Sequence, residues 1–241
     1  MDEVTPDEAF LTVYSDLARE GPGMPADVAW ALYVAGTPTA GRIMDAGCGS
    51  GADTVTLAKE RPAAQIEAVE QIGQYVAAAQ KRCAPFGARV QVRQGDMAQI
   101  TGPYDLLWGA GALYFRGVTE GLRQGRDALA PGGAVAFSEA CLLPNPSANA
   151  LAFWSQYPQV TNAEGIRARV AAAGYRSLGE RMVIGAPWEA YYTSMSARIA
   201  ALRPTAHGSL RDALDEAEAE ITRWKAAPSE IAYLLMVVAP E

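Results

Sequence analysis

The hydrophobic positions of this chain change their period along its length. Between Asp7 and Glu20 the apolar residues Phe10, Leu11, Val13, Tyr14 and Leu17 recur at helical spacing, and Gly21-Pro22-Gly23 ends the stripe. A second helix is predicted from Pro25 to Val34, where proline suits the first turn because its missing N–H has no partner there. From Arg42 onward short apolar runs alternate with helical patterns: Ile43-Met44, Gly51 to Glu60, Ile66 to Val69, and Ile72 to Cys83. Strands follow near Arg89 to Arg93, Tyr104 to Trp108 and Ala134 to Glu139, with a helix from Val118 to Leu129 and a helix stop and turn at Leu129-Ala130-Pro131-Gly132-Gly133. Such alternation predicts an α/β fold of parallel strands joined by crossover helices. Beyond Cys141, helices are predicted over Ala148 to Tyr157 and Asn162 to Ala173, and strands over Leu178 to Ile184 and Ile231 to Val238. Between those two strands, the insertion from Gly185 to Ser229 reads as two helices.

The apolar content shows no break between the halves of the 241 residues, so one domain is expected over 1–241. Residues 1–38 form an N-terminal helical cover, 39–141 a core, and 142–241 the remainder of the sheet with the helical insertion 185–229. Charge narrows the partners. With 27 acidic and 20 basic residues the net charge is −7, which disfavours DNA or RNA. The basic residues of Arg167-Arg169 and Arg198-Arg203 lie at helical spacing and read as solvated faces. Cys48, Cys83 and Cys141 lack the paired spacing of a zinc site or a disulfide framework, so a reducing, cytoplasmic setting is expected. The acidic start, with Asp2, Glu3, Asp7 and Glu8, is the opposite of a secretory leader, and no apolar run reaches the ~18 residues of a membrane span. No partner among nucleic acids or membranes is expected.

The chemistry concentrates at three strand ends. Asp45-Ala46-Gly47-Cys48-Gly49-Ser50-Gly51 follows an apolar strand and precedes a helical pattern, where glycines let the backbone turn sharply and approach a ligand. Glu70, followed by Gln71, ends the next strand nineteen residues after Gly51, where a nucleotide-binding unit places an acid for the ribose hydroxyls. Gly95-Asp96-Met97 ends the third: the aspartate can accept an adenine amino group, and Met97 can offer a backbone N–H to a ring nitrogen while packing on the purine.

These residues, with the Tyr104 to Trp108 strand and the Leu129 to Gly133 turn, resemble in order the class I S-adenosylmethionine-dependent methyltransferases over roughly residues 40 to 141. A narrower resemblance is to the small-molecule bacterial members related to ubiquinone and menaquinone biosynthesis. It is carried by Gly21-Pro22-Gly23, Trp108 to Tyr114, Phe137-Ser138-Glu139-Ala140, Phe153-Trp154 with Tyr157-Pro158, and Ala173-Gly174-Tyr175. The resemblance implies a Rossmann-like sheet of seven mostly parallel strands with the last antiparallel, and S-adenosyl-L-methionine as cofactor, leaving as S-adenosyl-L-homocysteine. The cofactor residues expected are Tyr14, Gly21, Gly23, Asp45, Gly47, Gly49, Gly51, Glu70, Gln71, Asp96, Met97 and Trp108. The methyl acceptor expected is a small molecule, and a homodimer is the candidate assembly. The segment Trp108-Gly109-Ala110-Gly111-Ala112 carries no acidic residue, so no carboxylate base is supplied there.

Two other readings share these features. An NAD-dependent oxidoreductase uses the same glycine turn and ribose acid, but its third glycine falls three residues after the second, where this chain has Ala52. A non-catalytic S-adenosylmethionine-binding protein is open because fold does not fix function. Methyl transfer asks mainly for in-line positioning and exclusion of water, with a base only when the acceptor arrives protonated. Candidates for acceptor contact are Tyr114, Trp188, Tyr191 and Tyr192, and for a catalytic group Tyr114, Glu139, Tyr191, Tyr192 and His207. The N-terminal helix and the insertion are expected to close over the cofactor. His207, the single histidine, has no cysteine near it, so no metal site is expected.

Overall fold

The short apolar runs become the strands of one sheet in the computed structural model, which describes residues 4–113 and 116–241. The strands are β1 (Arg42–Ala46), β2 (Gln65–Glu70), β3 (Val90–Gln94), β4 (Tyr104–Ala110), β5 (Leu129–Leu142), β6 (Thr161–Asn162), β7 (Tyr175–Ile184) and β8 (Ile231–Pro240). Their order is β3-β2-β1-β4-β5-β8-β7, with the two-residue β6 paired to β5 off that path. The neighbours β3-β2, β2-β1, β1-β4 and β4-β5 are parallel, and the last strands run antiparallel. Seven strands were expected; the eighth is β6, too short to leave a periodic signal.

Chain contacts gather the residues into two compact units. The larger, Met24–Cys141, Thr161–Val183 and Tyr233–Glu241, contains most of the sheet. Side chains alternate between its two faces. Ile43, Leu106 and Ala136 pack with α2 (Pro25–Val34), α3 (Ala52–Glu60) and the end of α4 (Gly73–Cys83). Met44, Leu107, Val135 and Phe137 pack on the other face, with α5 (Val118–Gly125) and α7 (Ala163–Ala172). Because parallel strands need crossovers, both faces are covered and the strands read as near-continuous apolar runs. The chain winds outward from β1 through β2 to β3 and then restarts at β4 on β1's other side. The strand order therefore reverses between β1 and β4, where open α/β sheets leave a crevice at the carboxyl ends.

Residues 129–133 depart from expectation. They belong to β5 rather than to a turn: Leu129 pairs with Tyr104 and the next pairing is Leu106 with Ala134, so the extra residues bulge inside the strand, with Gly132 at φ +80°. The helix before them closes earlier than Leu129, α5 passing into a 3₁₀ turn over Arg126–Ala128.

The smaller unit, Met1–Gly23, Leu142–Val160 and Ile184–Ala232, is helical: α1 (Pro6–Tyr14), α6 (Ala148–Phe153), α8 (Ala186–Leu202) and α9 (Gly208–Lys225). The insertion is two helices, as expected. α1 starts in a capping box: the Thr5 hydroxyl accepts from the Glu8 N–H at 3.3 Å and the Glu8 carboxylate accepts from the Thr5 N–H at 3.0 Å. It stops at Tyr14, short of the predicted Glu20, where Ser15 turns extended and Asp16 takes φ +57°. α1 has no basic residue in its last turn, and Arg198 of α8 supplies the missing cation. Its guanidinium donates to the Thr12 carbonyl at 2.9 Å and the Ser15 hydroxyl at 3.0 Å, and lies 3.3 Å from the Asp16 carboxylate.

Candidate functional site

The glycine turn sits at the carboxyl end of β1, at the reversal of strand order. Gly47 and Gly51 have φ of +78° and +86°. A side chain at Gly47 would stand 2.9 Å from the Ala112 Cβ, and one at Gly51 3.0 Å from the Ala79 Cβ, so both glycines are required by conformation and by close approach. The turn hangs on β2, where the Val69 carbonyl accepts from the Gly47 and Cys48 N–H groups at 2.9 and 3.1 Å. Gly51 is the N-cap of α3 and has no capping side chain, so the first turn of α3 faces the strand ends with its amides uncapped by a side chain. Asp45 is buried beneath this turn and accepts from the Thr54 hydroxyl at 2.5 Å. Trp108 is buried on the same side of the sheet, its indole donating to Asp53 at 3.2 Å.

Glu70 is shaped by three backbone donors. Its Oε2 accepts from the Gly49 N–H at 3.0 Å, and its Oε1 from the Gln71 and Ile72 N–H groups at 2.8 and 2.9 Å. The carboxylate thereby joins the glycine turn to the end of β2, and because Oε1 accepts twice and Oε2 once, Oε2 keeps one lone-pair site for a further donor. At the end of β3, Asp96 accepts from the Ala98 N–H at 2.8 Å and bridges the Arg116 guanidinium through both oxygens at 2.8 Å. The Ala98 amide, and then Arg116, hold its carboxyl below the usual aspartate range. Met97 and Arg116 line a small pocket together with Trp108, Leu113, Gly121 and Gly125. The two α5 glycines let that helix approach: a Cβ at Gly121 would meet Leu113 at 2.8 Å and one at Gly125 would meet Leu107 at 3.1 Å.

The larger unit thus carries Asp45, Gly47, Gly49, Gly51, Glu70, Gln71, Asp96, Met97, Trp108 and Glu139, with the glycine turn and Glu70 in direct hydrogen-bond contact. Tyr14, Gly21, Gly23, Trp188, Tyr191, Tyr192 and His207 belong to the helical unit. Tyr114 lies outside the described residues. Trp188, Tyr191 and Tyr192 are buried in a chain of rings: Trp188 lies 6.0 Å from Trp154 and 6.1 Å from Tyr192, which in turn lies 5.0 Å from Tyr191 and 4.9 Å from Trp224. His207 is exposed at the N-cap of α9, with Nδ1 3.1 Å from the Thr205 carbonyl. Burial pushes the Cys83 and Cys141 thiols up to about 11 and Cys48 higher still, so none is an activated nucleophile. Among the described residues no cluster of three His, Cys, Asp or Glu could hold a metal ion, and no helix is long and apolar enough to cross a membrane.

Sequence reasoning missed two groups. Arg116 carries no signal linking it to Asp96. Glu220 of α9 accepts from the Tyr192 hydroxyl at 2.9 Å and is also hydrogen-bonded by Tyr14; burial raises its pKa against the pull of these hydroxyls. The legible trace of Glu220 is its place beside the apolar stripe Leu214, Ala217, Ile221 and Trp224, where a glutamate interrupts a buried face.

Residues 43–133 match the family model described as a methyltransferase domain. An uncharacterised protein of Synechococcus is 36% identical over 113 residues, 44% of this chain and 27% of that one. The release factor glutamine methyltransferase of Geobacter sulfurreducens is 39% identical over 72 residues, 29% of this chain and 25% of that one. The chain spans about a quarter of the length of the curated relatives it matches. A solved S-adenosylmethionine-dependent methyltransferase of Geobacter sulfurreducens, in complex with S-adenosyl-L-homocysteine, superposes with a TM-score of 0.84 at 16% identity, over 97% of this chain and 98% of that one. That likeness establishes the fold as the Rossmann-like fold of these enzymes.

Proposed function

We propose that this chain, which carries a methyltransferase domain over residues 43–133, transfers a methyl group from S-adenosyl-L-methionine to a small-molecule acceptor. The observation that carries the reading is the joined construction of the glycine turn and Glu70 at the reversal of strand order. A backbone that only glycine permits is tied by the Gly49 N–H to a carboxylate whose Oε2 keeps one acceptor site open at the strand ends, which suits a ribose hydroxyl of a nucleoside. The residues fit the cofactor on three further counts. The uncapped first turn of α3 suits the cofactor's carboxylate, because backbone N–H groups and the helix dipole favour an anion there. Asp96 offers an acceptor to the adenine amino group, and the apolar cavity beside Met97 offers a surface for a flat ring.

The bound cofactor supplies an electrophilic methyl on a sulfonium, and the protein's task is to bind, orient and exclude water. Gly47, Gly49, Gly51, Glu70, Gln71, Asp96 and Met97 are the groups proposed to hold it, with Asp45 and Trp108 acting from beneath the turn. In the helical unit Tyr14, Gly21 and Gly23 are the remaining cofactor candidates. Trp188, Tyr191 and Tyr192, joined now by Glu220, are the candidates for acceptor contact. The net charge of −7 disfavours a nucleic-acid acceptor.

Calorimetric titration separates this reading from an oxidoreductase. S-adenosyl-L-homocysteine is expected to bind with one site per chain and a micromolar Kd, and NAD to show no saturable heat; saturable NAD binding without S-adenosyl-L-homocysteine binding would reverse the assignment.

A further inference from the structure

Glu139 lies near the end of β5, and its side chain is buried, 6% exposed, with Oε2 lacking any hydrogen-bond partner. A carboxyl oxygen taken out of water without a donor is costly, and native proteins keep such groups where a ligand completes them or where the group has chemistry to perform. The surroundings supply little compensation. Alternation along β5 puts Glu139 between Phe137 and Cys141, on the face covered by α5 and α7. From α7, Arg169 acts on it only through space; Arg167 of α7 and Glu180 of β7 act on the neighbouring Cys141. Burial outweighs the Arg169 charge and pushes the Glu139 carboxyl up to about 7, so both protonation states are accessible near neutral pH.

Register places Glu139 at the glycine-turn end of the sheet. Asp45 pairs with Trp108, and Trp108 with Ala136; Gly109 and Ala110 then pair with Phe137 and Ser138. Asp45, Trp108 and Ala136 are thus level, and Glu139 lies three residues further along β5, towards the carboxyl ends where the glycine turn leaves β1. Two strand spacings separate β1 from β5, roughly 10 Å. The Gly111 N–H donates to the Ser138 hydroxyl at 2.9 Å, closing the β4–β5 edge and setting the backbone that carries Glu139.

We propose that Glu139 is the catalytic base of the methyl transfer, receiving through Oε2 an N–H or O–H of the acceptor, and that the acceptor is therefore an amine or a hydroxyl compound. This rests on the methyl-transfer reading above. The bond from acceptor nitrogen or oxygen to carbon forms as the sulfur–methyl bond breaks. The sulfonium's electron deficit is filled by that bond's pair, leaving a neutral thioether, and the acceptor's proton passes to Glu139 and then to solvent. An acceptor atom without an exchangeable proton gives this carboxylate no task.

The test uses the full chain, methyl-labelled S-adenosyl-L-methionine and a small-molecule metabolite extract, with initial rates followed from about pH 5.5 to about pH 9. Wild-type transfer is expected to rise about tenfold per pH unit below about 7 and level off above it. Glu139→Gln should lower the rate by about 100-fold or more and lose that acid limb, while its affinity for S-adenosyl-L-homocysteine stays within about twofold; Glu139→Asp should recover part of the rate. Transfer by Glu139→Gln within about threefold of wild type, with the acid limb intact, overturns the role of Glu139 alone. Label found on an atom that bore no exchangeable proton overturns it as well. Absence of transfer by the wild-type chain removes the methyl-transfer reading, and the base with it.

Discussion

Glu70 and Glu139 are both glutamates at strand ends, yet their surroundings ask opposite things of them. Glu70 is surrounded by backbone N–H groups of Gly49, Gln71 and Ile72, whereas Glu139 is buried with an oxygen left over. Replacing Glu70 by alanine removes both the proposed ribose partner and the tie to the glycine turn. S-adenosyl-L-homocysteine affinity is expected to fall about 10–100-fold, or roughly 1.4–2.8 kcal/mol, by calorimetry; unchanged affinity would take Glu70 out of the site. For Glu139 the consequence is a pH-dependent stability. Its carboxyl is raised from 4.5 to about 7, so between those pH values the folded chain holds a proton that the unfolded chain has released. Stability is therefore lost as pH rises through that window, by about 3 kcal/mol once pH exceeds 7. Glu139→Gln, which stays neutral, should match wild type near pH 4.5 and be more stable by a few kcal/mol near pH 8 in urea unfolding. An equal difference at both pH values would place the raised pKa elsewhere.

At the scale of elements, the periodic pattern carried most of the fold because each strand of a doubly covered sheet must be apolar along its length. The predicted strands and crossover helices appear with ends displaced by a few residues. What the pattern did not carry is instructive. β6 is two residues long and has no period of its own, and residues 129–133 look like a turn because Pro131, Gly132 and Gly133 are turn residues, yet strand pairing to Tyr104 absorbs them as a bulge. α1 ends where Asp16 takes a positive φ, which no hydrophobic spacing announces. Of the candidate site, the glycine turn, Glu70, Asp96 and Glu139 were legible as strand-end residues, since strand ends can be located from the pattern alone. Arg116 and Glu220 were not, because each joins its partner through contacts remote in sequence, Arg116 with Asp96 and Glu220 with Tyr192 and Tyr14. The same holds for Arg198, which caps α1 from α8. Arg198→Ala leaves the last carbonyls of α1 without their cation, at a cost of about 1–2 kcal/mol to that helix. Hydrogen exchange of the α1 amides is expected to quicken several-fold while the strands of the sheet keep their protection; uniform quickening throughout the chain would mean that Arg198 supports more than α1.

For the molecule as a whole, the candidate residues fall in two units, one sheet-bearing and one helical. The larger unit holds the glycine turn, Glu70, Asp96 and Glu139, and the smaller one gathers the aromatic rings around Trp188 and Tyr192 with Glu220. A net charge of −7 disfavours a nucleic-acid acceptor. The measurement that bears most directly on the account is the fate of the methyl group itself. The purified chain, incubated with S-adenosyl-L-methionine carrying an isotopically labelled methyl and with a metabolite extract, is expected to yield a small molecule heavier by one labelled methyl, with an equal amount of S-adenosyl-L-homocysteine, by mass spectrometry. Formation of neither product, with the labelled cofactor recovered intact in the presence of the full extract, would contradict it.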